Sequence, residues 1–445
     1  MKCIEDEIPF ELPDGWAWAR LGNIGEWKAG ATPNRKCLEY YNGDIPWVKT
    51  GDLNDDYIKE IPETITKKAL KETSVSIIPK DTVLIAMYGA TIGKLGITTC
   101  DVTTNQACCA CCNLKGVNKK FLFYFLMQHK SNFISMGFGG AQPNISKEKI
   151  VQVIIPVPPI EEQNKITAKL TELFTFVKKI ESAKSTLQST IQQTKSKILD
   201  LAIRGKLVPQ DPNDESASVL LERIRAEKEE LIKQGKIKRD KKGSVIFKGD
   251  DNSYYEKIGN KIENIDNIIP FEIPDTWQWC RGSSCFVGME SEKPSGEFFD
   301  YIDIDAIDNH LHRIKKTKRM LVSNAPSRAS RAVKTGSVLF SLVRPYLENI
   351  ALIDEKYANS IASTGFYVCN SSGVLYPEYM FCLMISGYVV NGLNQFMKGD
   401  NSPSISKDDI ENWLYPIPPF NEQKMICHKM KRLFSEIEAI EKSLS

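Results

Sequence analysis

Long apolar segments are missing from this 445-residue chain. A membrane-spanning helix needs about 18 or more consecutive apolar residues, and no such run occurs, so we expect no membrane partner. The N-terminal segment MKCIEDEIPFELPDGW is acidic, whereas a secretory signal is first basic and then apolar. These two absences predict a cytoplasmic protein.

An excess of charge of one sign is also missing. Lysine plus arginine number 58 and aspartate plus glutamate number 56, so the formal net charge is +2. A nearly neutral chain has no global attraction for a polyanion, and any nucleic-acid binding must depend on local basic patches. With 42% hydrophobic and 26% charged residues, the composition is that of a folded globular protein, and the length suits two or three domains.

Histidine is scarce, with four residues in the chain, whereas cysteine is not, with twelve. Five cysteines lie between Cys100 and Cys112, and four of them form the run Cys-Cys-Ala-Cys-Cys at 108–112. Zinc sites use two spaced pairs of ligands, often with histidine, whereas adjacent cysteines alternate between the two faces of a strand. The run predicts thiols packed in the core of a cytosolic protein and no metal site.

The chain contains an internal duplication. Residues 8–20 (IPFELPDGWAWAR) and 269–281 (IPFEIPDTWQWCR) are identical at nine of 13 positions, at an offset of 261. Residues 143–181 and 403–441 are identical at 16 of 39 positions, at an offset of 260. Two matches in nearly one register indicate paired domains, because solenoid repeats are much shorter.

The interiors of the two halves differ. Residues 30–136 and 291–396 match hardly at all, apart from a strand such as DTVLIAM against GSVLFSL. Short β-rich runs and interspersed helical patterns predict an α+β (mixed α/β) fold with a sheet in each half. One scaffold with two different interiors is typical of a protein that presents two different recognition surfaces.

A heptad pattern follows the second repeated segment. Core positions alternate four and three residues apart from Ile166 for about five heptads, after Pro158-Pro159 and before Gly205, and all are apolar except Lys184 and Thr194. Such a helix needs a partner, and the matching segment after Pro418-Pro419 is the obvious one, although a helix in a plain bundle is the alternative. The predicted interface residues are Ile166, Leu170, Leu173, Val177, Ile180, Leu187, Ile191, Ile198, Leu433, Ile437 and Ile440.

These features predict five segments. Two globular domains cover residues 1–158 and 262–418, and two spacer helices cover residues 159–204 and 419–445. Residues 205–261 form a linker with a short charged helix and a basic run at 233–242. The basic run suits either a solvated linker or contact with backbone phosphates.

Several motifs resemble those of one family. They are IPFELPDGWAWARLG, GATPNRK, YYNGDIPWVKTGDLN, YGATIGKLGI, GGAQPNISKEKIVQVIIPVPPIEEQ and LAIRGKLVPQDPNDESA. Together they resemble the specificity subunit of type I restriction-modification systems over nearly the whole chain. The resemblance implies two target-recognition domains, each binding one half of a split duplex-DNA site, joined by long antiparallel coiled-coil helices with a pseudo-twofold internal repeat.

The resemblance also implies partners. Two modification (methyltransferase) subunits dock beside the helices, and restriction/translocase subunits join through them. The chain itself holds no cofactor in this family, because S-adenosylmethionine, ATP and Mg²⁺ are used by the partner subunits. The second helix here is shorter than the family pattern, and either the linker helix fills the gap or this part of the partner surface is reduced.

The candidate DNA contacts lie in polar segments of each domain. In the first domain they are Arg35, Lys36, Lys49, Thr50, Tyr88, Lys94, Gln142 and Asn144. In the second they are Arg313, Lys315, Lys316, Lys318, Arg319, Arg328, Arg331 and Arg344. Each cation alone suits an ordinary surface position, but the group favours DNA contact.

Motifs that imitate catalytic sites do not complete them. GATIGKL lacks the spacing and the Ser/Thr of a phosphate-binding loop, and IPPF has Ile where amino-methyltransferases place Asn or Asp. The sequence therefore predicts a non-catalytic DNA-recognition subunit. The alternatives are a DNA methyltransferase or nuclease with two substrate domains, and a coiled-coil scaffold with two protein-binding domains.

Overall fold

The computed structural model describes residues 7–137, 143–235 and 243–443 of the chain. It divides into two compact units, residues 1–182 and 183–445, and the boundary falls inside one long helix. No helix among the described residues is both long and apolar enough to cross a membrane.

The first unit contains ten strands and the beginning of the long helix. The strands are β1 Ala17–Arg20, β2 Glu26–Ala29, β3 Tyr41–Val48, β4 Asp56–Ile58, β5 Thr64–Ile65, β6 Val83–Ala86, β7 Leu95–Thr98, β8 Thr103–Thr104, β9 Cys108–Cys112 and β10 Ile154–Val157. The helices are α1 Lys67–Glu72, α2 Lys119–Gln128, α3 Lys130–Ser135, α4 Lys147–Gln152 and α5 Ile160–Ile203.

Three sheets organise this unit: a five-stranded sheet of order β2-β9-β6-β7-β4, a three-stranded sheet of order β5-β3-β8, and the pair β1-β10. Strand β9 lies inside the largest sheet, and its cysteines alternate between two apolar clusters, Cys109 and Cys111 on one side and Cys108 and Cys112 on the other. Burial raises the pKa of the Cys109 thiol to about 12. The prediction of packed, uncharged thiols in a buried strand is confirmed.

The second unit contains the end of α5 and the remaining elements. The strands are β11 Ser244–Lys248, β12 Tyr254–Ile258, β13 Lys261–Asn264, β14 Gln278–Arg281, β15 Phe298–Ile302, β16 Ile307–Asp308, β17 Arg313–Ile314, β18 Lys318–Leu321, β19 Ala329–Ala332, β20 Val338–Ser341, β21 Ile350–Leu352, β22 Ile361–Ser363, β23 Phe366–Cys369 and β24 Leu414–Ile417. The helices are α6 Ala217–Lys233, α7 Gly282–Cys285, α8 Pro377–Met384, α9 Gly387–Asn394, α10 Lys407–Asn412 and α11 Phe420–Ser443.

The sheets of the second unit have the orders β21-β20-β23, β18-β15-β22-β19 and β11-β12-β13, with the pairs β14-β24 and β16-β17. The sheet β11-β12-β13 lies mostly within the segment that the sequence analysis treats as linker. These strands were not predicted, because charged residues and Gly/Asp/Asn turns dominate the segment. Residues 236–242, most of the basic run, lie outside the described residues.

The repeated segments form the same structure in each unit. Strand β1 pairs antiparallel with β10, with Trp18 opposite Pro156, and β14 pairs with β24 with Trp279 opposite Pro416. These partners are related by the two sequence offsets, so the register is also repeated.

The dissimilar interiors share a strand pairing as well. Strand β6 lies between β9 and β7 and is antiparallel to both, and β20 lies between β23 and β21 in the same way. Strand β3 pairs antiparallel with β5 and parallel with β8, and β15 pairs antiparallel with β18 and parallel with β22. Backbone topology therefore persists where side-chain identity has been lost.

The long helix α5 begins directly after Pro158-Pro159 and ends two residues before Gly205. Gly205 has a φ of +69°, the left-handed conformation that commonly ends helices. The amide of Lys206 donates to the carbonyl of Leu201, which completes this end. The helix bounds agree with those that the proline pair and the glycine predict.

Candidate nucleic-acid interface

Two candidate cations of the first unit share one carboxylate. The Arg35 guanidinium stacks 4.8 Å from the ring centres of both Tyr41 and Trp47, and its Nη1 donates to Glu63 Oε2 at 2.9 Å. The Lys49 ammonium donates to the other oxygen of Glu63. Hydrogen bonds from Lys49 and Arg35 outweigh partial burial and lower the pKa of Glu63. DNA phosphates would therefore compete with Glu63 for these cations.

Two neighbours of this pair are also candidates. Lys36 is exposed, and its backbone amide donates to Asn34 Oδ1 at 3.0 Å, which holds the loop in a tight turn. Thr50 begins a 3₁₀ turn in which the Asp52 carboxylate accepts the Lys49 amide at 2.7 Å. The four candidates Arg35, Lys36, Lys49 and Thr50 therefore lie on the loops at either end of β3.

A second group in the first unit surrounds the turn between β6 and β7. Tyr88, 43% exposed, forms an isolated antiparallel bridge with Asn144, and the next amide, of Gly89, donates to the Pro143 carbonyl at 2.8 Å. Lys94 is half-buried at the end of the same turn. Gln142 lies outside the described residues. GATIGKL is thus a tight turn between the antiparallel strands β6 and β7.

Basic residues of the second unit line the edges of its four-stranded sheet. On edge strand β18, Lys318 Nζ lies 3.3 Å from Asp303 Oδ2, and the Arg319 guanidinium lies 5.4 Å from the centre of the Phe298 ring. Arg331 lies on the opposite edge strand, β19, and its Nε is buried without a hydrogen-bond partner. An unsatisfied guanidinium nitrogen is costly and leaves donor capacity for a ligand.

The remaining cations of the basic stretch are exposed, as Lys318 and Arg319 are. Arg313 lies on β17 of the small β16-β17 hairpin, and Lys315 and Lys316 follow it with exposed side chains. Arg328 precedes β19 with an exposed side chain, while its carbonyl accepts the Thr364 amide at 2.8 Å. Their exposure suits long-range attraction of phosphates.

Arg344 occupies a strained turn between β20 and β21. Its φ and ψ are +48° and +56°, and its amide donates to the Pro403 carbonyl at 2.8 Å. The corresponding amide of the first unit is that of Gly89, which donates to Pro143. The Arg344 side chain is exposed, with Nη2 donating to the Asn401 carbonyl at 2.9 Å.

Two further non-glycine residues near this turn are left-handed. Glu348 closes the turn at φ +55°, and His312, in the adjoining hairpin at φ +48°, lies 3.7 Å from its carboxylate. Burial lowers the pKa of His312 and raises that of Glu348, so both neutral forms are favoured. Left-handed non-glycine residues cost free energy and concentrate at functional sites.

The predicted helix seam is covered at its ends and exposed in the middle. Ile166 packs against the first unit's core, Leu170 is half-buried, and Ile191 and Ile198 are buried. All residues from 172 to 190 are exposed, including four of the predicted seam residues: Leu173, Val177, Ile180 and Leu187. A stripe of this kind on a long helix, apolar except at Lys184, is typical of a protein–protein contact surface.

The buried end of the seam packs against α11. Ile198 belongs to the same apolar cluster as Leu433 and Ile437, while Ile440 is 48% exposed. Lys195 Nζ lies 2.8 Å from Glu441 Oε2, near the end of α11, whereas Gln210, beyond the end of α5, bonds to Glu422 near its beginning. Within this unit the two helices therefore pack in antiparallel directions.

In each half, one Trp–Glu hydrogen bond joins the two repeated segments, and it was not predicted from the sequence. Trp16 Nε1 donates to Glu162 at 3.1 Å, and Trp277 Nε1 donates to Glu422 at 2.9 Å. These contacts tie the residue before β1 or β14 to the first turn of α5 or α11. We call the pair β1-β10 with the start of α5, and the pair β14-β24 with the start of α11, the repeated frame. Identity of the Trp and Glu positions in both halves was the available signal, but spacing alone does not show that they meet.

The glutamine after each of these glutamates forms the same kinds of hydrogen bond in both halves. Gln163 Nε2 donates to the Pro158 carbonyl at 2.8 Å, and its Oε1 accepts the Asn118 amide at the start of α2. Gln423 Nε2 donates to the Pro418 carbonyl at 3.0 Å, and its Oε1 accepts the Tyr376 amide at the start of α8. IPPF is accordingly the start of helix α11.

Nothing in the three described ranges groups three or more His, Cys, Asp or Glu side chains as a metal site. Burial raises the pKa of each thiol in β9, which favours their protonated forms. The described surface has cations stacked on aromatic rings, tight turns and an apolar stripe on α5. These are features with which a protein binds other molecules.

Comparison with known families supports this interpretation. The sequence profile described as "Type I restriction modification DNA specificity domain" matches residues 13–192 and 292–445. The two matches comprise most of each half of the chain. Residues 193–291, which include the sheet β11-β12-β13, lie between them.

Individual proteins are similar over nearly the whole chain. The type I restriction enzyme EcoAI specificity subunit of Escherichia coli is 24% identical over 498 residues, covering 96% of this chain and 79% of that protein. The EcoEI specificity subunit of Escherichia coli is 23% identical over 516 residues, covering 100% and 82%. A solved chain described under "Structural basis underlying complex assembly and conformational transition of the type I R-M system" has the same fold, with a TM-score of 0.62 and 16% identity over 98% of this chain and 94% of that one.

Proposed function

Because the chain belongs to the type I restriction modification DNA specificity family, we propose that it is the non-catalytic DNA-recognition subunit of such a complex in the cytoplasm. The observation that carries the proposal is the repeated frame. The same Trp–Glu and Gln–Pro contacts recur in both units, around interiors that carry different polar and basic residues.

Each unit recognises one half of a bipartite duplex-DNA site. In the first unit the recognition surface comprises the loops around β3 and the β6-β7 turn, and in the second it comprises the edges of the four-stranded sheet and the β20-β21 turn. Linking two recognition units makes the second binding event intramolecular, so two modest binders give one selective binder. Phosphate contacts position such a protein, and base-edge contacts give the specificity.

The helices space the two recognition units as an antiparallel coiled coil with pseudo-twofold symmetry. Packing of α11 against the end of α5 supports this arrangement. The exposed stripe from Leu173 to Leu187 is the docking surface for two modification subunits, through which the restriction subunits join. S-adenosylmethionine, ATP and Mg²⁺ act in those partner subunits.

Reconstitution tests the proposal. The purified chain with S-adenosylmethionine and DNA should transfer no methyl group, and addition of its modification subunits should produce methylation at one bipartite sequence. Sequencing of methylated sites gives both half-sites and the gap. Methyl transfer by the chain alone would contradict the proposal in favour of an enzyme.

A control separates recognition of DNA from a purely protein-binding scaffold. The complex should bind duplex DNA with a binding constant whose logarithm falls linearly with the logarithm of salt concentration, as counterion release requires. A complex that assembles but shows no salt-dependent binding to duplex DNA would support the scaffold.

A further inference from the structure

The turn between β8 and β9 of the first unit, residues 105–107, holds an exposed amide side chain on a fixed backbone. The Asn105 amide donates to the Val48 carbonyl at 3.0 Å, which anchors the turn on β3. The Cys108 amide donates to the Asn105 carbonyl at 3.1 Å and closes the turn. Gln106, between them, has an exposed side chain. The backbone of the turn is therefore a rigid support for that side chain.

The loop after β2 lies directly against this turn. The Ala31 amide donates to the Thr104 carbonyl at 3.0 Å. A Cβ atom at Gly30 would overlap the same carbonyl oxygen, so the close approach requires glycine. The approach places Thr32 beside Gln106, and the Thr32 hydroxyl donates to Gln106 Oε1.

The bond from Thr32 orients the Gln106 amide. Because the amide oxygen accepts from Thr32, the amide nitrogen and the second lone pair of the oxygen point to other partners, and none of the described residues supplies one. A donor and an acceptor side by side match N7 and the N6 amino group of adenine, which the major groove exposes. Guanine has two acceptors there, N7 and O6, so its O6 would meet the amide oxygen with like polarity.

Candidate phosphate-binding cations lie beside this amide. Lys49 directly follows Val48, on which the turn is anchored. The Arg35 guanidinium stacks on the Trp47 ring, and Trp47 Nε1 donates to the Ala31 carbonyl at 3.2 Å. Phosphate contacts fix the register of a protein on a duplex, and base-edge contacts distinguish the sequence. The cations and the amide together provide both kinds of contact.

The second unit has the same turn with different side chains. Strands β22 and β23 pair with β15 and β20 as β8 and β9 pair with β3 and β6, so residues 363–365 (Ser-Thr-Gly) occupy the positions of residues 105–107. The Thr364 amide donates to the Arg328 carbonyl at 2.8 Å, and Arg331 lies opposite β22 on β19. The equivalent turn therefore also lies beside candidate DNA contacts, but it has no side-chain amide.

We propose that Gln106 recognises one adenine in the half-site of the first unit and that Thr32 is the residue that positions its amide. The inference rests on the proposed function and adds to it one base and the side chain that recognises it. Gln106 donates to adenine N7 and accepts from the adenine N6 amino group, while Lys49 and Arg35 bind nearby phosphates. Because the second unit has no amide at this turn, the contact belongs to one half-site only.

Gln106→Ala in the reconstituted complex tests the proposal. Sequencing of methylated sites should show that one adenine, in one half-site, loses roughly ten- to hundred-fold of its preference over the other bases. The other half-site should be unchanged. The thermal midpoint should stay within a few degrees, since Gln106 is exposed. Gln152→Ala, at an exposed glutamine of α4, is the matched control and should change neither half-site.

A base analogue separates direct contact from an indirect effect. 7-Deazaadenine pairs with thymine but lacks the N7 acceptor. At the affected position it should weaken binding by the parent complex several-fold and leave binding by the Gln106→Ala complex unchanged. Thr32→Val keeps the size of the side chain but removes the hydroxyl, so it should lower the preference for the same adenine without changing the salt dependence of binding.

Four results would overturn the proposal. They are an unchanged preference at every position in Gln106→Ala, relaxation at a base other than adenine, relaxation in both half-sites, and equal weakening of parent and Gln106→Ala binding by 7-deazaadenine. A uniform loss of affinity with a shallower salt dependence would make Gln106 a phosphate contact and would also contradict it. If the parent complex itself methylates no bipartite site, the proposed function fails and this inference fails with it.

Discussion

At the scale of single residues, the turn after β6 and the turn after β20 differ in an informative way. The first turn has Gly89 at φ +63° and Gly93 at φ +78°, and the second has Arg344 and Glu348 at similar φ values. Glycine adopts this conformation without strain, whereas other residues cost roughly 1–2 kcal/mol each. An exposed arginine retained in a strained position suggests a role that glycine cannot fill.

Replacing Arg344 by glycine should separate stability from recognition. Arg344→Gly relieves the left-handed strain, so the free energy of unfolding should rise by about 1 kcal/mol in denaturant melts. The same variant should lose roughly 1–3 kcal/mol of discrimination at the half-site of the second unit, measured by binding to duplexes altered in one half.

Glu348→Gly is the matched control. It relieves the same kind of strain but removes no cation, so it should raise stability and leave discrimination unchanged. Equal discrimination in the Arg344→Gly variant and the parent chain would show that Arg344 contacts no base.

At the scale of elements, the repeated Trp–Glu contact differs in burial between the two frames. Glu422 is buried where β14 meets the start of α11, whereas Glu162 is half-buried. Burial raises the pKa of Glu422, although the bonds from Trp277 and Gln210 oppose the shift. Because the pKa of Glu422 is raised in the folded protein, its protonated form stabilises the fold more than its carboxylate does.

Glu422→Ala should lower the stability of the second unit by roughly 1–3 kcal/mol, because the Trp277 N–H is left buried without an acceptor. Glu162→Ala in the first unit should cost less, since water can reach Trp16. Denaturant melts followed by tryptophan fluorescence measure both. An equal loss in the two variants would contradict the role of burial.

Glu422→Gln should change the pH dependence. The stabilisation from a carboxyl with a raised folded pKa is complete below its unfolded pKa of about 4.3 and is lost as the pH rises through the folded value. The glutamine variant keeps an acceptor for Trp277 and has no such loss, so its stability relative to the parent chain should increase from acid to neutral pH. A constant difference across that range would contradict the raised pKa.

The middle of α5 gives a third prediction at this scale. Ile180 is 52% exposed on the seam, and Lys179 is exposed beside it but off the seam. Ile180→Asp should leave the thermal midpoint within a few degrees, since exposed positions tolerate substitution. It should nevertheless abolish co-purification with the modification subunits, whereas Lys179→Asp should not. Loss of assembly in both variants would indicate a general charge effect.

At the scale of the whole molecule, the net charge of +2 is an average over parts with different partners. Carboxylates such as Glu63 and Asp303 neutralise candidate cations locally, while Arg313, Lys315 and Lys316 remain exposed. A nearly neutral chain can therefore present basic recognition surfaces.

Divided recognition predicts separable defects. Arg319→Ala should weaken recognition of one half-site, and Arg35→Ala should weaken recognition of the other. Each substitution should reduce the slope of the log binding constant against log salt concentration by about one phosphate contact. Binding to duplexes with one half-site scrambled, at several salt concentrations, measures both effects. Equal loss at both half-sites from either substitution would contradict two independent recognition units.

The sequence by itself determined the features that depend on local pattern. Identity between the halves located both frames, the proline pairs marked the helix starts, Gly205 marked the end of α5, and adjacent cysteines indicated a buried strand. Each of these follows from backbone chemistry or from alternation of side chains along one element, so short segments contain the necessary information.

Only the tertiary structure decided which distant residues meet. It showed that Arg35 and Lys49 share Glu63, that Trp277 binds Glu422, and that the supposed linker covers Trp279. These contacts join residues far apart in the chain, and no periodicity records them. The same strand pairing recurs in both interiors without matching residues, because backbone hydrogen bonds define a sheet and many side chains can fill it.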